Sequence, residues 1–483
     1  MRLLARGAGP QPGRADRSLR GAARRMGWTL ALSAAAFGLC APVMPASAST
    51  QSPQYDGCPG SLGSGSTPPR TPDQVLLHTE LAAPDGAANE AFGYSVAVDG
   101  DTMVIGAPFH RRTDPGVGYV FVRSGDAWVL QAELVAADGQ SYDELGISAA
   151  ISGDTVVLGA PDDDTPPGGR DAGSAYVFVR SGTTWTQEAK LKAPDGGRFF
   201  GFGYSVAIDG DTILVGEVSA ETPAGEDAGA AYVFVRSGAT WKGQAKLTPL
   251  EETGGAEFGR SVALQGDTAL IGANFGQAPG GPRESGLAYA FVRADDTWTE
   301  QAMLVAPDAQ AGDSFGLSVA LDAETAVIGA AFDDPYGDAS GSAYVFVRDG
   351  STWTAQTKLL APDGAIHDEL GWSVAVHDDI AVIGSNCSDT VGGSNAGAAY
   401  MFRRSGSTWT PGPKLLARDG AAGDWFGRPL AFDGSTLVIS ANEHDTPAGE
   451  NAGAVYLRWA PQPGRDWVVA NTSRYADIES LTR

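Results

Sequence analysis

Acidic side chains are grouped in three short segments of this chain. Two segments are runs of aspartate, and the third places a histidine between two acids. The residues are Asp162, Asp163, Asp164, Asp333, Asp334, Glu443, His444 and Asp445. Carboxylate oxygens bind cations, and an acidic surface attracts basic protein partners. These segments are therefore candidates for ligand binding. The alternative is that they are solvated loop tips.

The elements that carry these segments belong to a repeated unit. One tyrosine per unit recurs at intervals of 55 to 57 residues. The seven positions are Tyr119, Tyr176, Tyr232, Tyr289, Tyr344, Tyr400 and Tyr456. A unit of this length is too small to bury its own apolar face, so neighbouring units must complete the core.

Each unit contains the pattern of four short strands. Residues 95–98 alternate small and β-branched side chains, a glycine turn follows, and residues 103–107 form a second strand. Residues 119–122 are apolar on both faces, and residues 184–191 show the polar alternation of an exposed outer strand. This order predicts an all-β fold, a seven-bladed β-propeller of four-stranded antiparallel blades.

The two ends of the repeat region predict how the ring closes. Residues 76–85 look like a fourth strand with no first three strands before it, and the last unit lacks a fourth strand after Tyr456. We predict that the N-terminal strand completes the last blade.

The repeated motif resembles a known family. Phe-Gly opens five units, at Phe92, Phe202, Phe258, Phe315 and Phe426, and Leu145 and Leu370 replace the phenylalanine in two units. Gly-Ala-Pro is literal at residues 106–108 and 159–161 and is degenerate in the other units. This pattern resembles the FG-GAP repeat, which implies the seven-bladed propeller of integrin α chains and a role in binding or adhesion.

The resemblance also raises the question of calcium. Integrin-like repeats often carry a calcium loop between the first two strands, but here that connection is a turn such as residues 99–101. Two carboxylates in a tight turn cannot surround an ion that takes six to eight oxygen ligands. We therefore expect no metal and no cofactor. Calcium binding elsewhere stays open.

Two kinds of connection lie on one face of the predicted propeller. The second-to-third strand loops differ in length and content, so we place a protein-binding site there. The fourth-to-first connections each carry an acid seven residues before Phe/Leu-Gly, which we interpret as a structural turn residue. A repeated cation site is the alternative, since a second acid often follows. The first acids are Asp85, Asp138, Asp195, Glu251, Asp308, Asp363 and Asp419.

A tryptophan that recurs at the start of the outer strand suggests a second function. Aromatic faces stack on sugars, and repeated blades would make a multivalent lectin. The alternative is that each indole packs against its neighbouring blade. The positions are Trp128, Trp185, Trp241, Trp298, Trp353 and Trp409.

Catalysis has little support in the sequence. The five histidines occupy unrelated repeat positions, and no nucleophile-elbow, zinc-protease or phosphate-loop motif is present. We therefore expect a protein that is not an enzyme. A hydrolase or lyase with a central-channel site is a remote alternative, because a propeller can assemble carboxylates from distant blades.

The termini and the charge suggest an exported protein. Residues 1–48 resemble a signal peptide, residues 49–72 a flexible leader, residues 73–460 the propeller and residues 461–483 a tail. The net charge is −25, and it becomes about −31 without the signal, which disfavours nucleic acid as a partner. We expect an extracellular, periplasmic or cell-surface monomer with no membrane span after signal cleavage.

Two cysteines, Cys58 and Cys387, remain after the expected signal is removed. An oxidising destination and a flexible leader favour one disulfide between them.

Overall fold

The computed structural model describes residues 58, 73–110, 114–164, 169–197, 199–251 and 254–459. These residues form strands and no helices. The predicted signal peptide, nearly all of the leader and the tail lie outside the described residues. Two short strands, β1 (Gln74–Leu77) and β2 (Thr79–Leu81), precede the blades.

The strands group into seven blades in chain order. Blade 1 contains β3 (Ser95–Asp99), β4 (Thr102–Ala107), β5 (Val117–Ser124) and β6 (Ala127–Leu134). Blade 2 contains β7 (Ser148–Ser152), β8 (Thr155–Ala160), β9 (Ser174–Ser181) and β10 (Thr184–Leu191). Blade 3 contains β11 (Phe202–Asp209), β12 (Thr212–Glu217), β13 (Ala230–Ser237) and β14 (Thr240–Leu247). Blade 4 contains β15 (Ser261–Gln265), β16 (Thr268–Ala273), β17 (Leu287–Ala294) and β18 (Thr297–Leu304). Blade 5 contains β19 (Ser318–Asp322), β20 (Thr325–Ala330), β21 (Ser342–Asp349) and β22 (Thr352–Leu359). Blade 6 contains β23 (Val374–His377), β24 (Ile380–Ser385), β25 (Ala398–Ser405) and β26 (Thr408–Ala417). Blade 7 contains β27 (Leu430–Phe432), β28 (Thr436–Ala441) and β29 (Ala454–Trp459).

Each blade is an antiparallel sheet in which sequential strands are neighbours. The first strand of every blade contacts the first strands of the two adjacent blades, and β27 of blade 7 contacts β3 of blade 1. The first strands therefore surround one axis, and the ring is closed. The predicted seven-bladed propeller is confirmed.

The N-terminal segment closes the ring in two ways. Strand β2 pairs antiparallel with β29 and supplies the fourth strand of blade 7, as predicted. Strand β1 pairs parallel with β26 and adds a fifth strand to blade 6, which the sequence analysis did not anticipate. Cys58 is bonded to Cys387 of blade 6, with 5.4 Å between the two Cα atoms. The same segment thus holds two blades.

The Phe-Gly and Gly-Ala-Pro motifs join adjacent blades. Phe92 is fully buried, and its ring lies 5.4 Å from that of Tyr119 in an edge-on arrangement. Burial of such a ring stabilises the fold by about 2 to 3 kcal/mol. A Cβ on Gly159 of blade 2 would lie 1.9 Å from the carbonyl oxygen of Gly203 in blade 3. The repeated glycines are therefore required by the close approach of the blades.

Among the described residues, one face of the ring carries only tight turns. The first two strands of blades 1 to 6 are joined by two residues, such as Gly100 and Asp101 in blade 1. In blade 2, Arg180 Nε donates to Asp154 Oδ1 of this turn at 2.6 Å, and its Nη1 donates to Thr102 of blade 1 at 2.9 Å. Similar arginines bond the preceding blade in blades 3 to 6. The turn acids therefore serve structural ion pairs.

The recurring tryptophans lie between blades. Five are buried, with exposures of 7 to 9%, and Trp185 is half-buried. The indole of Trp185 donates to Gln131 of blade 1 at 2.8 Å, while the Arg180 guanidinium lies 5.2 Å above its ring. The indole rings thus pack against the neighbouring blade. This was the alternative to the lectin interpretation in the sequence analysis.

Candidate functional site at the axis of the loop face

The second-to-third strand loops and the fourth-to-first connections lie on the face opposite the tight turns. Each fourth-to-first connection ends in Phe-Gly or Leu-Gly, and the next residue leads into an innermost strand. These seven next residues form a set that we call the axial ring. They are Tyr94, Ile147, Tyr204, Arg260, Leu317, Trp372 and Arg428.

Aromatic and arginine side chains of the axial ring contact one another between blades. Arg260 of blade 4 donates a hydrogen bond to the hydroxyl of Tyr204 in blade 3, and its guanidinium lies 4.7 Å above that ring. Arg428 of blade 7 lies 4.7 Å above Trp372 of blade 6 and 5.0 Å from the Trp425 ring. Each cation–π contact contributes about 0.5 to 2 kcal/mol. The arginines are therefore oriented before any partner binds.

Tyr94 of blade 1 shows that the side chains converge on the axis. Burial raises its pKa to about 12, Arg428 and Arg260 oppose this shift, and Tyr204 and Glu144 add to it. These four groups belong to blades 7, 4, 3 and 2, so their charges reach Tyr94 from several directions. The innermost strands that follow these residues surround the axis.

Glutamates lie directly before the Phe/Leu-Gly pair in three blades. They are Glu144, Glu257 and Glu369. Burial raises the pKa of Glu144 to about 8, with Asp162 and Asp171 adding to the effect. Burial also raises the pKa of Glu369 to about 8, against the influence of Arg428. At neutral pH, Glu144 and Glu369 are therefore mostly protonated and can donate hydrogen bonds.

The acidic residues singled out in the sequence divide into two groups. Asp163 and Asp333 are buried, with 1% exposure each. Lys190 Nζ lies 2.7 Å from Asp163 Oδ2 and 2.8 Å from Asp138 Oδ2. Lys358 Nζ holds Asp333 and Asp308 in the same way. The carboxylates of Asp163 and Asp333 are thus used inside the blades rather than on the surface.

The other acidic candidates stay at the loop tips. Asp164 accepts from the Asp171 amide at 3.0 Å, Asp334 from the Ala339 amide at 2.7 Å, and Asp445 from the Asn451 amide at 2.9 Å. These bonds fix the loops. Asp162 is exposed and Glu443 is half-buried, while His444 is buried with 8% exposure. The structure therefore does not bring the candidates together into one pocket.

The acids of the fourth-to-first connections have a structural partner. The hydroxyl of the strand-three tyrosine donates to each of them in six blades, at 2.7 to 3.1 Å. In blade 3 the hydroxyl oxygen of Tyr232 also lies 2.8 Å from Glu217 Oε2, and burial raises the pKa of Glu217 to about 7. The structural interpretation of these acids holds, although their main partner is a tyrosine rather than the turn itself.

The sequence analysis missed the axial ring because the ring flanks the repeated motif. The side chain after Phe-Gly changes from blade to blade, whereas its backbone position is constant. Aligning the seven units and asking which inward position varies in chemistry would have revealed it.

The closed ring of seven four-stranded sheets defines the class of this protein as a seven-bladed β-propeller. A family model described as FG-GAP repeat matches residues 77–122, 128–178, 185–234, 241–291, 298–346, 353–402 and 409–457. These segments cover well over half of the chain, which therefore belongs to the FG-GAP repeat family and resembles the integrin α propeller. A search of curated proteins found no match. None of the described residues forms a helix that could cross a membrane.

Proposed function

We propose that this protein is an exported, non-enzymatic binding or adhesion module that holds a protein partner on the loop face, centred on the axial ring. The observation that supports this proposal is a pair of aromatic–arginine contacts between blades in the axial ring, Arg260 on Tyr204 and Arg428 on Trp372. Tryptophan, tyrosine and arginine are the residues that most often dominate the energy of protein interfaces.

The surroundings of the axial ring favour a particular kind of partner. Asp162, Asp164, Asp334 and Asp445 are exposed on the second-to-third strand loops of the same face, and the chain as a whole has a net charge of −25. An acidic rim favours the approach of basic residues. The partner is therefore a protein loop with basic flanks and a polar or aromatic tip that reaches the arginines and the protonated glutamates.

A glycan is the second candidate, and it shares the same site. Half-buried Tyr94, Tyr204, Trp372 and Trp425 offer aromatic faces near hydrogen-bonding groups. The glycan would therefore bind the aromatic residues of the loop face. It would not bind the recurring tryptophans of the outer strands, which pack between blades.

The test uses three panels of cyclic peptides of equal length, basic, neutral or acidic, together with a glycan array. Binding is measured for the wild-type protein and for the double variant Trp372→Ala/Arg428→Ala. We expect basic peptides to bind best, and the double variant to lose at least about tenfold in affinity, because two anchor side chains are removed.

Lys242→Ala is the control, since it removes one exposed positive charge from the outer strand of blade 3. It should bind like the wild type. Glycan binding that is lost in the double variant, without peptide binding, would favour the lectin alternative. Equal binding by the wild type and the double variant would exclude the axial ring as the binding site.

A further inference from the structure

Blade 7 differs from blade 2 at equivalent positions inside the loop face. The outer-strand residue paired with the strand-three tyrosine is Lys190 in blade 2 but Glu80 in blade 7. The buried residue of the second-to-third loop is Asp163 in blade 2 but His444 in blade 7. Where blade 2 has Lys190 between two acids, blade 7 has Glu80 beside His444.

The acid of the fourth-to-first connection, here called the connector acid, is an aspartate in both blades, and it accepts a hydrogen bond from the strand-three tyrosine in both. In blades 2, 3, 5 and 6 a lysine ammonium lies 2.7 to 3.0 Å from this carboxylate. In blade 7 the carboxylate belongs to Asp419, and the lysine position holds Glu80. Blade 7 therefore lacks the lysine that neutralises the connector acid in blades 2, 3, 5 and 6.

The replacement creates a set of metal-ligating atoms. One ligand atom each from Glu80, Asp419 and His444 lie within 4.8 Å of one another. His444 Nε2 is 3.9 Å from Glu80 Oε1. Glu80 and Asp419 are exposed, whereas His444 is buried. An ion could therefore enter from the solvent side and be held against the buried imidazole.

The orientation of His444 is fixed by a buried acid. His444 Nδ1 lies 2.8 Å from Asp424 Oδ2, and Asp424 also accepts the Ala421 amide at 2.7 Å. When the imidazole is neutral and its proton is on Nδ1, bonded to Asp424, the Nε2 lone pair is free to bind a metal ion on the side of Glu80. Nε2 has no hydrogen-bond partner among the described residues. A carboxylate that orients a histidine in this way is the usual support of a metal-binding imidazole.

We propose that Glu80, Asp419 and His444 bind one divalent transition metal ion of the zinc class, with Asp424 as a positioning residue. One imidazole nitrogen and two carboxylates form a ligand set that zinc accepts, with water in the remaining position. The histidine distinguishes this site from one for calcium or magnesium, which prefer oxygen ligands alone. The sequence analysis assigned no metal, because these ligands lie at opposite ends of the propeller sequence.

The three ligands come from three separate segments. Glu80 lies on β2, Asp419 on the connection between blades 6 and 7, and His444 on the loop between β28 and β29. A bound ion would crosslink the N-terminal strand to the last blade. The site therefore stabilises ring closure, independently of any partner at the axial ring.

The test is a zinc titration of the untagged protein by calorimetry, after EDTA treatment and dialysis under non-reducing conditions that keep the Cys58–Cys387 disulfide. Melting temperatures are recorded with zinc, magnesium and calcium. We expect one zinc ion per chain and a zinc-specific rise in melting temperature through linkage. Asp424→Asn should weaken zinc affinity by about 10- to 100-fold.

Glu80→Lys restores the residue type found in the sister blades and so keeps a cation beside Asp419. It should fold in EDTA and lose at least about tenfold in zinc affinity. Glu133→Lys is the matched control. Blade 1 has the same residue types at these positions, Glu133, Asp85 and His110, and His110 Nε2 lies 3.7 Å from Asp85 Oδ2, but the three ligand atoms do not all lie within 4.8 Å of one another. Glu133→Lys should bind zinc like the wild type. Absence of zinc binding by the wild type, or equal binding by Glu80→Lys and the wild type, would overturn the proposal.

Discussion

The two faces of the propeller use the repeat in opposite ways. On the tight-turn face, an arginine binds a turn acid and a threonine of the preceding blade, as Arg180 does with Asp154 and Thr102. On the loop face, the backbone before each innermost strand is equally regular, but the axial ring contains aromatic, arginine and aliphatic side chains. The difference shows that the repeat fixes the backbone on either side of each innermost strand and leaves the side-chain chemistry at the axis variable.

The largest expected effect tests the shared backbone frame. Gly159→Ala would place a Cβ 1.9 Å from the carbonyl oxygen of Gly203, so blades 2 and 3 would have to separate. We expect a loss of more than about 4 kcal/mol in the free energy of unfolding, or failure to fold. The measurement is urea unfolding followed by tryptophan fluorescence.

Gly153→Ala is the matched control for this prediction. Gly153 lies in a tight turn with φ of +56°, and a Cβ there would meet nothing within 4 Å. Its cost is limited to the left-handed backbone conformation, about 1 kcal/mol. Equal losses for the two variants would show that close contact between blades is not the reason for a glycine at residue 159.

The second prediction concerns pH and the loop face. The folded pKa of Glu369 is about 8, above its ordinary value of 4.5, because of burial. The folded protein therefore holds this proton more tightly than the unfolded chain. The stabilisation is complete below the unfolded pKa and is lost as pH rises toward 8, at about 1.4 kcal/mol per pH unit.

Glu369→Gln should remove this contribution between pH 5 and pH 7. Unfolding free energies at the two pH values give the difference directly, and the variant should show a smaller loss than the wild type by about 3 kcal/mol. Asp154→Asn is the control, because this turn acid is exposed. An unchanged pH dependence in Glu369→Gln would contradict a neutral carboxyl beside the axial ring.

The smallest effect separates the arginines of the two faces. Arg180→Ala breaks a partly exposed ion pair and a hydrogen bond between blades, so it should destabilise the fold by about 1 kcal/mol. It should leave peptide binding unchanged, because Arg180 is far from the axial ring. Arg428→Ala should weaken peptide binding, because it removes a side chain of the axial ring. Thermal melting and peptide affinity, measured for both variants, would show whether the two faces are functionally distinct.

The sequence predicted the blades well because their apolar pattern repeats in phase. All six residues of β4, β8, β12 and their counterparts in blades 4, 5 and 7 are buried, as a strand covered on both sides requires. The parallel pairing of β1 with blade 6 was not predicted, because residues 76–85 were expected to form one strand of one blade, whereas the chain divides at His78 into two strands that pair with different blades.

The candidate site was less accessible to sequence analysis. Asp163 looked like a loop-tip acid because its neighbours are also acidic, yet it pairs with Lys190 on a different strand of blade 2. The axial ring requires seven positions from seven blades to meet, and the metal-ligand trio requires the two ends of the propeller to meet. Spacing along the chain gives no measure of either distance.

The pairing of β1 and β2 with blades 6 and 7 has a consequence for the order of synthesis and folding. The two described strands that are translated first, β1 and β2, have their partners, β26 and β29, near the end of the described chain. Blades 2 to 5 can assemble as the chain emerges, but these two strands must wait until almost all of the protein has been made. Such long-range pairing is slow to form. Closure of the ring is therefore the last step, and until then the open edges of β26 and β29 are the surfaces most exposed to mispairing with a second chain.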